Sequence, residues 1–382
     1  MRILHICSYY IGNKLYMNLI KQLSFKGIMQ EVFIPIKNSE HIGKNQLSSD
    51  FNTVNYYYKN ILKKHDKVFY FNKIYKQMKE IEKSILVNKS IDFIHAHTVF
   101  SDGGTAYKIH RKYGIDYIVT VRNTDINTFY RYGIHLRPFM YKVLLNASAI
   151  IFISHAYKEQ MLSLLPSGML RQIKEKSYVI PNGIDDYWHE NIITKKSDLG
   201  SKEVNLLFMG LIDENKNLGT VITACNKLRE EGYSVLLNVI GNGPLEDKHK
   251  QMCKNLGMDK EVVFHGYLSN KEIISAIMDT SDVFILPSFK ETFGLVYIES
   301  MSRGLPVIYS QRQGIDGFFE EGEVGYSIDP YNVKMICNTI KKILNNYEQI
   351  SNNCFIRSKE FKWELITEKI RNLYWKDNSI ER

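Results

Sequence analysis

Short, continuously apolar runs rich in β-branched residues recur along this chain with helix-length segments between them, at 2–7, 31–36, 91–95, 117–121, 149–154 and 178–180. Strands that are apolar at every position need cover on both faces, which is the condition of a parallel sheet with helices above and below it. The first half therefore reads as one doubly wound α/β domain. After Pro181-Asn182-Gly183, a turn with a residue suited to positive φ, a polar stretch runs from 185 to 203. The alternation then restarts at 204–209, 234–240, 262–265, 283–286, 306–308 and 325–328. A length of 382 residues suits two cores better than one. The expected organisation is an N-terminal Rossmann-like domain over 1–185 and a second over 186–360. The remaining 361–382 reads as an amphipathic closing helix, apolar at three- and four-residue steps, able to pack back on the N-terminal domain. Tandem domains of this kind put the carboxyl ends of two sheets on facing sides of a cleft, where open α/β sheets bind ligands.

Several classes fall away on composition. No window holds 18 consecutive apolar residues, and the opening MRILHIC is only strand-long and lacks a small-residue cleavage site, so a cytoplasmic protein is expected. Five scattered cysteines with no C-x-x-C pair argue against a disulfide framework or a zinc site. The net charge of +9 is unevenly spread. Residues 1–190 hold 26 Lys and Arg against 15 Asp and Glu, while the remainder hold 24 against 26. The cations are dispersed, as at Lys59, Lys63, Lys64, Lys67, Lys73, Lys76, Lys79 and Lys83, and no nucleic-acid module is recognisable, so nucleic acid is not expected as a partner. Solvated helix faces and attraction to an anionic membrane surface both fit this half.

The segment 286–301, LPSFKETFGLVYIESM, is the most pointed in chemistry. A buried strand ends at Pro287, a loop carries Glu291, and a helix starting near Phe293 carries Glu299 in its second turn. Free amides and the positive dipole end at such a start let Gly294 and Leu295 approach a phosphate. Carboxylates would repel phosphate but accept paired hydrogen bonds from the vicinal hydroxyls of a sugar or ribose. Taken alone, Glu291 could equally cap the helix and Glu299 lie on the surface.

Together with the following MSRGLPVI, this E-x7-E segment resembles the donor site of retaining glycosyltransferases of the GT-B fold, in particular family 4. Other landmarks resemble that family in order: PNGID at 181–185, Gly210 followed by Lys216-Asn217, Gly241-Asn242-Gly243-Pro244, Phe264-His265-Gly266, and Ser281-Asp282-Val283 leading to Pro287-Ser288. The resemblance implies two Rossmann-like domains facing a cleft and a UDP- or GDP-linked sugar as donor substrate, with no further cofactor. It implies that Glu299 binds ribose hydroxyls and Glu291 those of the transferred sugar. Lys216 would offset charge growing on the departing diphosphate. Phe293, Gly294, Leu295, Gly210, Gly241 and Gly243 would line the donor, and His265 and Gly266 would touch the base through the backbone. Gly241 and Gly243 do not extend to a dinucleotide fingerprint, because the third glycine position is Glu246.

Two positions depart from the family pattern. Leu211 stands where relatives carry an arginine after the phosphate-loop glycine, and Arg122 stands where the first domain usually has a histidine, in TVRNTD at 120–125. Arg122 is accordingly a candidate replacement cation, and Gly12, His97 and Asp125 are candidate acceptor-side residues. Tyr9 and Tyr10 suit either sugar stacking or the core. No D-x-D clamp, His/Cys cluster, Walker A sequence or G-x-S-x-G elbow occurs, so metal-independent chemistry is expected. The reading is transfer of a hexose-type sugar, with retention, to a glycan or lipid-linked acceptor in cell-surface polysaccharide synthesis, peripheral on the inner membrane face. A GT-B epimerase or phosphorylase, or a non-catalytic partner subunit, is the alternative.

Overall fold

The computed structural model describes residues 1–63, 66, 69–190 and 202–375. The chain forms two compact units, one of residues 1–153, 157–182 and the segment from Trp363 onward, the other of 154–156 and 183–362. Part of the polar stretch 185–203, together with Lys64 and Lys67, lies outside the described residues.

The first unit holds seven strands: β1 (Arg2–Ile6), β2 (Met29–Ile36), β3 (Val54–Asn60), β4 (Phe93–Ala96), β5 (Tyr117–Val121), β6 (Ala149–Phe152) and β7 (Ser177–Val179). They form one sheet in the order β3-β2-β1-β4-β5-β6-β7, and each pair is parallel. Every residue of β4, β5 and β6 is buried, as continuous apolar runs require. At the edge, β3 is mostly half-buried. Its Tyr57 hydroxyl donates to the buried Glu31 carboxylate on β2 at 2.9 Å, and Lys89 reaches the same carboxylate at 2.9 Å. The helix Trp363–Trp375 belongs to this unit. Trp363, Ile366, Ile370, Leu373 and Tyr374 pack with Ile3, Leu19, Leu23, Phe93 and Ile118. Each large apolar side chain buried in this way is worth about 1.5–3 kcal/mol.

The second unit repeats the plan with β8 (Glu203–Met209), β9 (Ser234–Ile240), β10 (Val262–Gly266), β11 (Val283–Leu286), β12 (Val307–Ser310) and β13 (Gly325–Ile328). Their order is β10-β9-β8-β11-β12-β13, again all parallel. In both sheets the order reverses once, between β1 and β4 in the first and between β8 and β11 in the second. These reversals leave a crevice at the carboxyl ends of the central strands, the place in doubly wound sheets where ligands are held. No helix among the described residues is long and apolar enough to cross a membrane.

Candidate active site

At the reversal of the second sheet, the loop after β8 meets the loop after β11. Lys216 Nζ lies 2.6 Å from Glu291 Oε2. Both loops are fastened by polar residues, of which the sequence reading had named only Asn217. Asn215 accepts from the amide of Lys290 at 3.0 Å and donates to its carbonyl at 3.0 Å, while its own carbonyl accepts from the Phe289 amide at 2.8 Å. Asp213 accepts from the Lys216 amide at 2.9 Å. Gln313 accepts from the Glu291 amide at 3.0 Å, and the Glu291 carbonyl accepts from Gly314 at 2.8 Å. Asn217, in a left-handed conformation at φ 60°, donates to the Pro330 and Pro287 carbonyls. The only sequence signal for these positions is a cluster of short polar side chains, which bond readily to nearby backbone.

Gly210, Gly241 and Gly266 end adjacent strands in one ladder: the Gly210 amide donates to Ile240 at 3.0 Å and the Gly241 amide to Gly266 at 2.8 Å. A Cβ at Gly241 would fall 1.9 Å from the Gly210 carbonyl oxygen, and one at Gly243 would fall 2.3 Å from that of Ile212. These glycines therefore serve close approach of backbone to backbone. His265 is half-buried, its Nε2 2.8 Å from Asn238 Oδ1, and burial lowers its pKa, so the ring is neutral and occupied by Asn238.

Gly294, at φ 78°, leads into the helix Leu295–Met301, and a Cβ there would lie 2.5 Å from the Tyr297 ring. Leu295 opens the first turn and is half-buried. A helix of seven residues aligns few peptide dipoles, so an anion would depend more on Lys216 than on its start. Phe293 corrects the sequence reading as far as its side chain is concerned. The ring is buried against Phe318 and Phe361, with centroids at 5.5 and 5.7 Å, leaving only its backbone for a ligand. Glu299 sits in the second turn as expected. Burial pushes its carboxyl up to about 7, opposed by Lys271 and by a hydrogen bond from Trp188. Lys271 pairs at 2.6 Å with Asp185 of the PNGID turn. Leu211 is 52% exposed.

In the first unit the candidate acceptor-side residues are placed differently. Asp125 is fully buried and accepts from the amides of Val99, Phe100 and Arg122 at 3.1, 3.1 and 2.9 Å. Its carboxylate ties the 99–100 backbone to its own turn at Arg122 and has no face left for a sugar; burial still raises its pKa to about 6. His97 is also buried, stacked on His95 at 4.1 Å, with Nε2 3.1 Å from His5 Nδ1. The void it borders is about 20 Å³, room for roughly one water. Both residues are thus corrected from cleft residues to interior ones. Gly12 is exposed, and a Cβ added there would meet no atom within 4 Å. Tyr10 is core, its hydroxyl 3.2 Å from that of Tyr56, whereas Tyr9 is 41% exposed. The Arg122 guanidinium lies 5.3 Å from the Tyr16 ring centroid and donates to Asn182 at 3.2 Å.

The expectation of no histidine cluster also needs correction. β1 and β4 pair His5 opposite His95, and the nitrogens of His5, His95 and His97 lie within 4.8 Å of one another. A sequence separation of about ninety residues hid this. His5 bonds to His97, and His95 bonds to Tyr374 and Thr120 at 2.8 and 3.0 Å. Burial holds all three neutral, and the nearby Arg122 charge further disfavours a cation at His95 and His97.

Two family models cover most of the chain: one described as Glycosyltransferase Family 4 matches residues 17–187, and one described as Glycosyl transferases group 1 matches residues 190–359. An uncharacterized glycosyltransferase of Methanocaldococcus jannaschii is 27% identical over 59% of this chain and 59% of that protein. Alpha-monoglucosyldiacylglycerol synthase of Streptococcus pneumoniae is 30% identical over 57% of this chain and 51% of its own length. The chain thus spans between half and three-fifths of these two relatives. Among solved structures, the Anabaena protein HepE in complex with UDP-glucose superposes with a TM-score of 0.65 at 15% identity, over 97% of this chain and 98% of that one. With both halves matched and both parallel sheets in place, the chain belongs to the GT-B glycosyltransferases of family 4.

Proposed function

We propose that this protein transfers a hexose-type sugar, with retained configuration, from a UDP- or GDP-linked donor to a glycan or lipid-linked acceptor in cell-surface polysaccharide synthesis, on the cytoplasmic side of the membrane. The observation that carries the reading is the Lys216–Glu291 pair at 2.6 Å, at the strand-order reversal of the second sheet, with the half-buried acid Glu299 on the adjoining helix. A cation and an anion held together there match a ligand that carries both a diphosphate and sugar hydroxyls. The diphosphate takes Lys216, and the hydroxyls of the transferred sugar take Glu291. Glu299 accepts from the ribose. A UDP-glucose complex of the Anabaena protein and the glycolipid activity named for the pneumococcal relative support donor class and acceptor class respectively.

In the transfer, the bond from the anomeric carbon to the diphosphate oxygen breaks and the bond to the acceptor oxygen forms on the same face. The acceptor proton leaves on the departing phosphate oxygen. Lys216 stabilises the charge that grows on that group, which is the largest electrostatic demand of the step. No metal is assigned to this task, because Lys216 supplies the countercharge.

Thermal shifts with UDP, GDP and their sugars identify the donor, since a ligand stabilises the native state in proportion to occupancy. Nucleotide release stimulated by acceptor and unaffected by chelator supports the reading, and loss of the nucleotide shift in Glu299→Ala places the ribose. Sugar isomerisation or dependence on inorganic phosphate would instead indicate an epimerase or phosphorylase, and a nucleotide shift without turnover a non-catalytic partner subunit.

A further inference from the structure

Glu299 is held from outside its own helix. The PNGID turn runs into a short helix, Tyr187–Glu190, and the two are fastened to a third segment of the unit, the helix Lys271–Thr280. Asp185 pairs with Lys271 Nζ at 2.6 Å and accepts from the Tyr187 amide at 3.1 Å. One turn along that helix, Ser275 Oγ lies 3.0 Å from the Tyr187 hydroxyl, while Lys271 Nζ lies 5.5 Å from the centroid of the Tyr187 ring. The Trp188 ring meets that of Tyr187 edge-on at 5.2 Å and is buried. Its indole N–H donates to the Glu299 carboxylate. A buried indole has a single donor that needs an acceptor, so Glu299 satisfies the ring while the ring fixes the acid.

An ionised carboxylate offers about four acceptor positions, of which the indole fills one and leaves enough for two vicinal hydroxyls. A glutamate without such a brace would have to be ordered by the ligand itself, at the expense of affinity. We propose that Trp188 and the Lys271–Asp185 pair are positioning residues for Glu299, the indole fixing the carboxylate toward the ribose and the ion pair fixing the turn that carries the indole. The ribose contact rests on the donor reading above, whereas the bracing of the acid does not. The pair also acts through its charges, Lys271 favouring the carboxylate and Asp185 opposing it. Neighbouring charges are engaged elsewhere. Arg303, four residues on, pairs with Asp279 at 2.6 Å, and Arg357, on the helix Tyr347–Ser358 packed against Leu295–Met301, pairs with Glu323 at 2.9 Å. His189 faces Lys362, Asp186 and the Phe361 backbone, and Glu272 is exposed. Loss of Lys271 alone should therefore raise the pKa of Glu299, and loss of Asp185 alone should lower it. A merely structural ion pair would give both losses the same outcome.

The test is a pH titration of tryptophan fluorescence in the ligand-free full chain, with calorimetry of UDP and GDP beside it. A transition is expected at about pH 7. It should vanish in Glu299→Gln and in Trp188→Phe, which leave Trp363 and Trp375 in place. Lys271→Met should raise the midpoint and Asp185→Asn lower it, each by about half a unit or more, and Lys271→Arg should restore it. Trp188→Phe keeps an aromatic ring but no donor, and should weaken nucleotide binding about tenfold. The Lys271 and Asp185 side chains are 39% and 44% exposed, so their arm of the test decides even where Trp188→Phe fails to fold. A transition that persists in Glu299→Gln, or midpoints that move the same way in Lys271→Met and Asp185→Asn, would overturn the proposal. Wild-type nucleotide affinity in folded Trp188→Phe would also overturn it, while leaving the donor reading intact. The expected fluorescence results without nucleotide binding by the wild type would defeat the donor reading and leave the bracing of Glu299 to stand by itself.

Discussion

Gly241 separates a backbone role from a ligand role, because the resemblance places it beside the donor while the geometry presses it against Gly210. A methyl group there would lie 1.9 Å from the Gly210 carbonyl oxygen. Ordinary carbon–oxygen contact needs about 3.3 Å, so the two strand ends would have to part by roughly 1.4 Å. The amide bonds from Gly210 to Ile240 and from Gly241 to Gly266, at 3.0 and 2.8 Å, cannot survive such a movement intact. Leaving buried groups unsatisfied costs about 1–3 kcal/mol each, and the φ of 137° adds about 1 kcal/mol or more for a residue with a side chain. The total, roughly 3–7 kcal/mol, is a large share of the 5–15 kcal/mol that holds a domain folded. Gly12→Ala makes the comparison, since nothing lies within 4 Å of its Cβ and the change should stay within about 0.5 kcal/mol. Urea unfolding followed by circular dichroism reads both, alongside the nucleotide thermal shift. Gly241→Ala should lose stability and nucleotide binding together. If it keeps wild-type stability within about 1 kcal/mol and loses only nucleotide binding, the steric reasoning is wrong and the glycine serves the ligand directly.

Other perturbations address single groups. Glu299 accepts hydroxyls only as the carboxylate, and its carboxyl titrates at about 7, so donor affinity should be full at pH 8 and fall about tenfold by pH 6 as the proton competes. Glu299→Gln should flatten that profile in titration calorimetry, and an unchanged profile would remove Glu299 from the donor site. Asp125→Ala leaves three buried amides without an acceptor and should cost about 3 kcal/mol or more in urea unfolding. A change in acceptor KM at full stability would restore its acceptor-side role. Leu211→Arg introduces at an exposed position the cation that the family pattern expects, and should tighten UDP or GDP binding by about tenfold, the range of one charge-assisted hydrogen bond. No gain would show that the loop after β8 does not face the diphosphate.

The fold was legible wherever burial on two faces forced an unbroken apolar run, and illegible where it did not. The strand β3, VNYYYKN, carries three rings between amides and ends in lysine and asparagine. It lies at an edge where one side is open, so it needs neither branched residues nor uniform burial. Its tyrosines find their partners, Glu31 and Tyr10, from a distance of many residues. The closing helix was readable from its three- and four-residue steps, while its packing on the first unit was open to expectation only, since either core could have accepted the same stripe. At the site, Glu291, Glu299, Lys216 and the glycines stand in short contiguous motifs, and it was the resemblance of those motifs to the family pattern, not their spacing alone, that singled them out. His97 and Asp125 follow strand ends as ligand residues do, yet their burial depends on His5 and on the Val99 and Phe100 amides, and such pairings leave no trace in spacing.

The two sheets share a topology but close their reversal points with different chemistry, and that difference decides which can hold a charged ligand. Between β1 and β4, the amide and hydroxyl of Ser8 bind Asp102, at 3.2 and 2.5 Å, and Asp102 is fully buried, its pKa raised to about 6 by that burial. A carboxylate so enclosed has its lone pairs filled by the chain itself, and opening it to a ligand would expose a desolvated acid to no compensating gain. Between β8 and β11, most of the structural fastening is done instead by the neutral side chains of Asn215 and Gln313, with Asp213 holding only the Lys216 amide. That leaves Lys216 and Glu291 bound chiefly to each other and partly exposed, with side-chain accessibilities of 21% and 12%. A ligand carrying both charge and hydroxyls can replace each partner without stranding the other, so exchange at this pair is close to balanced. Assigning most of the fastening to amides and leaving an ion pair open is what suits the second reversal point, more than the first, to the donor proposed above.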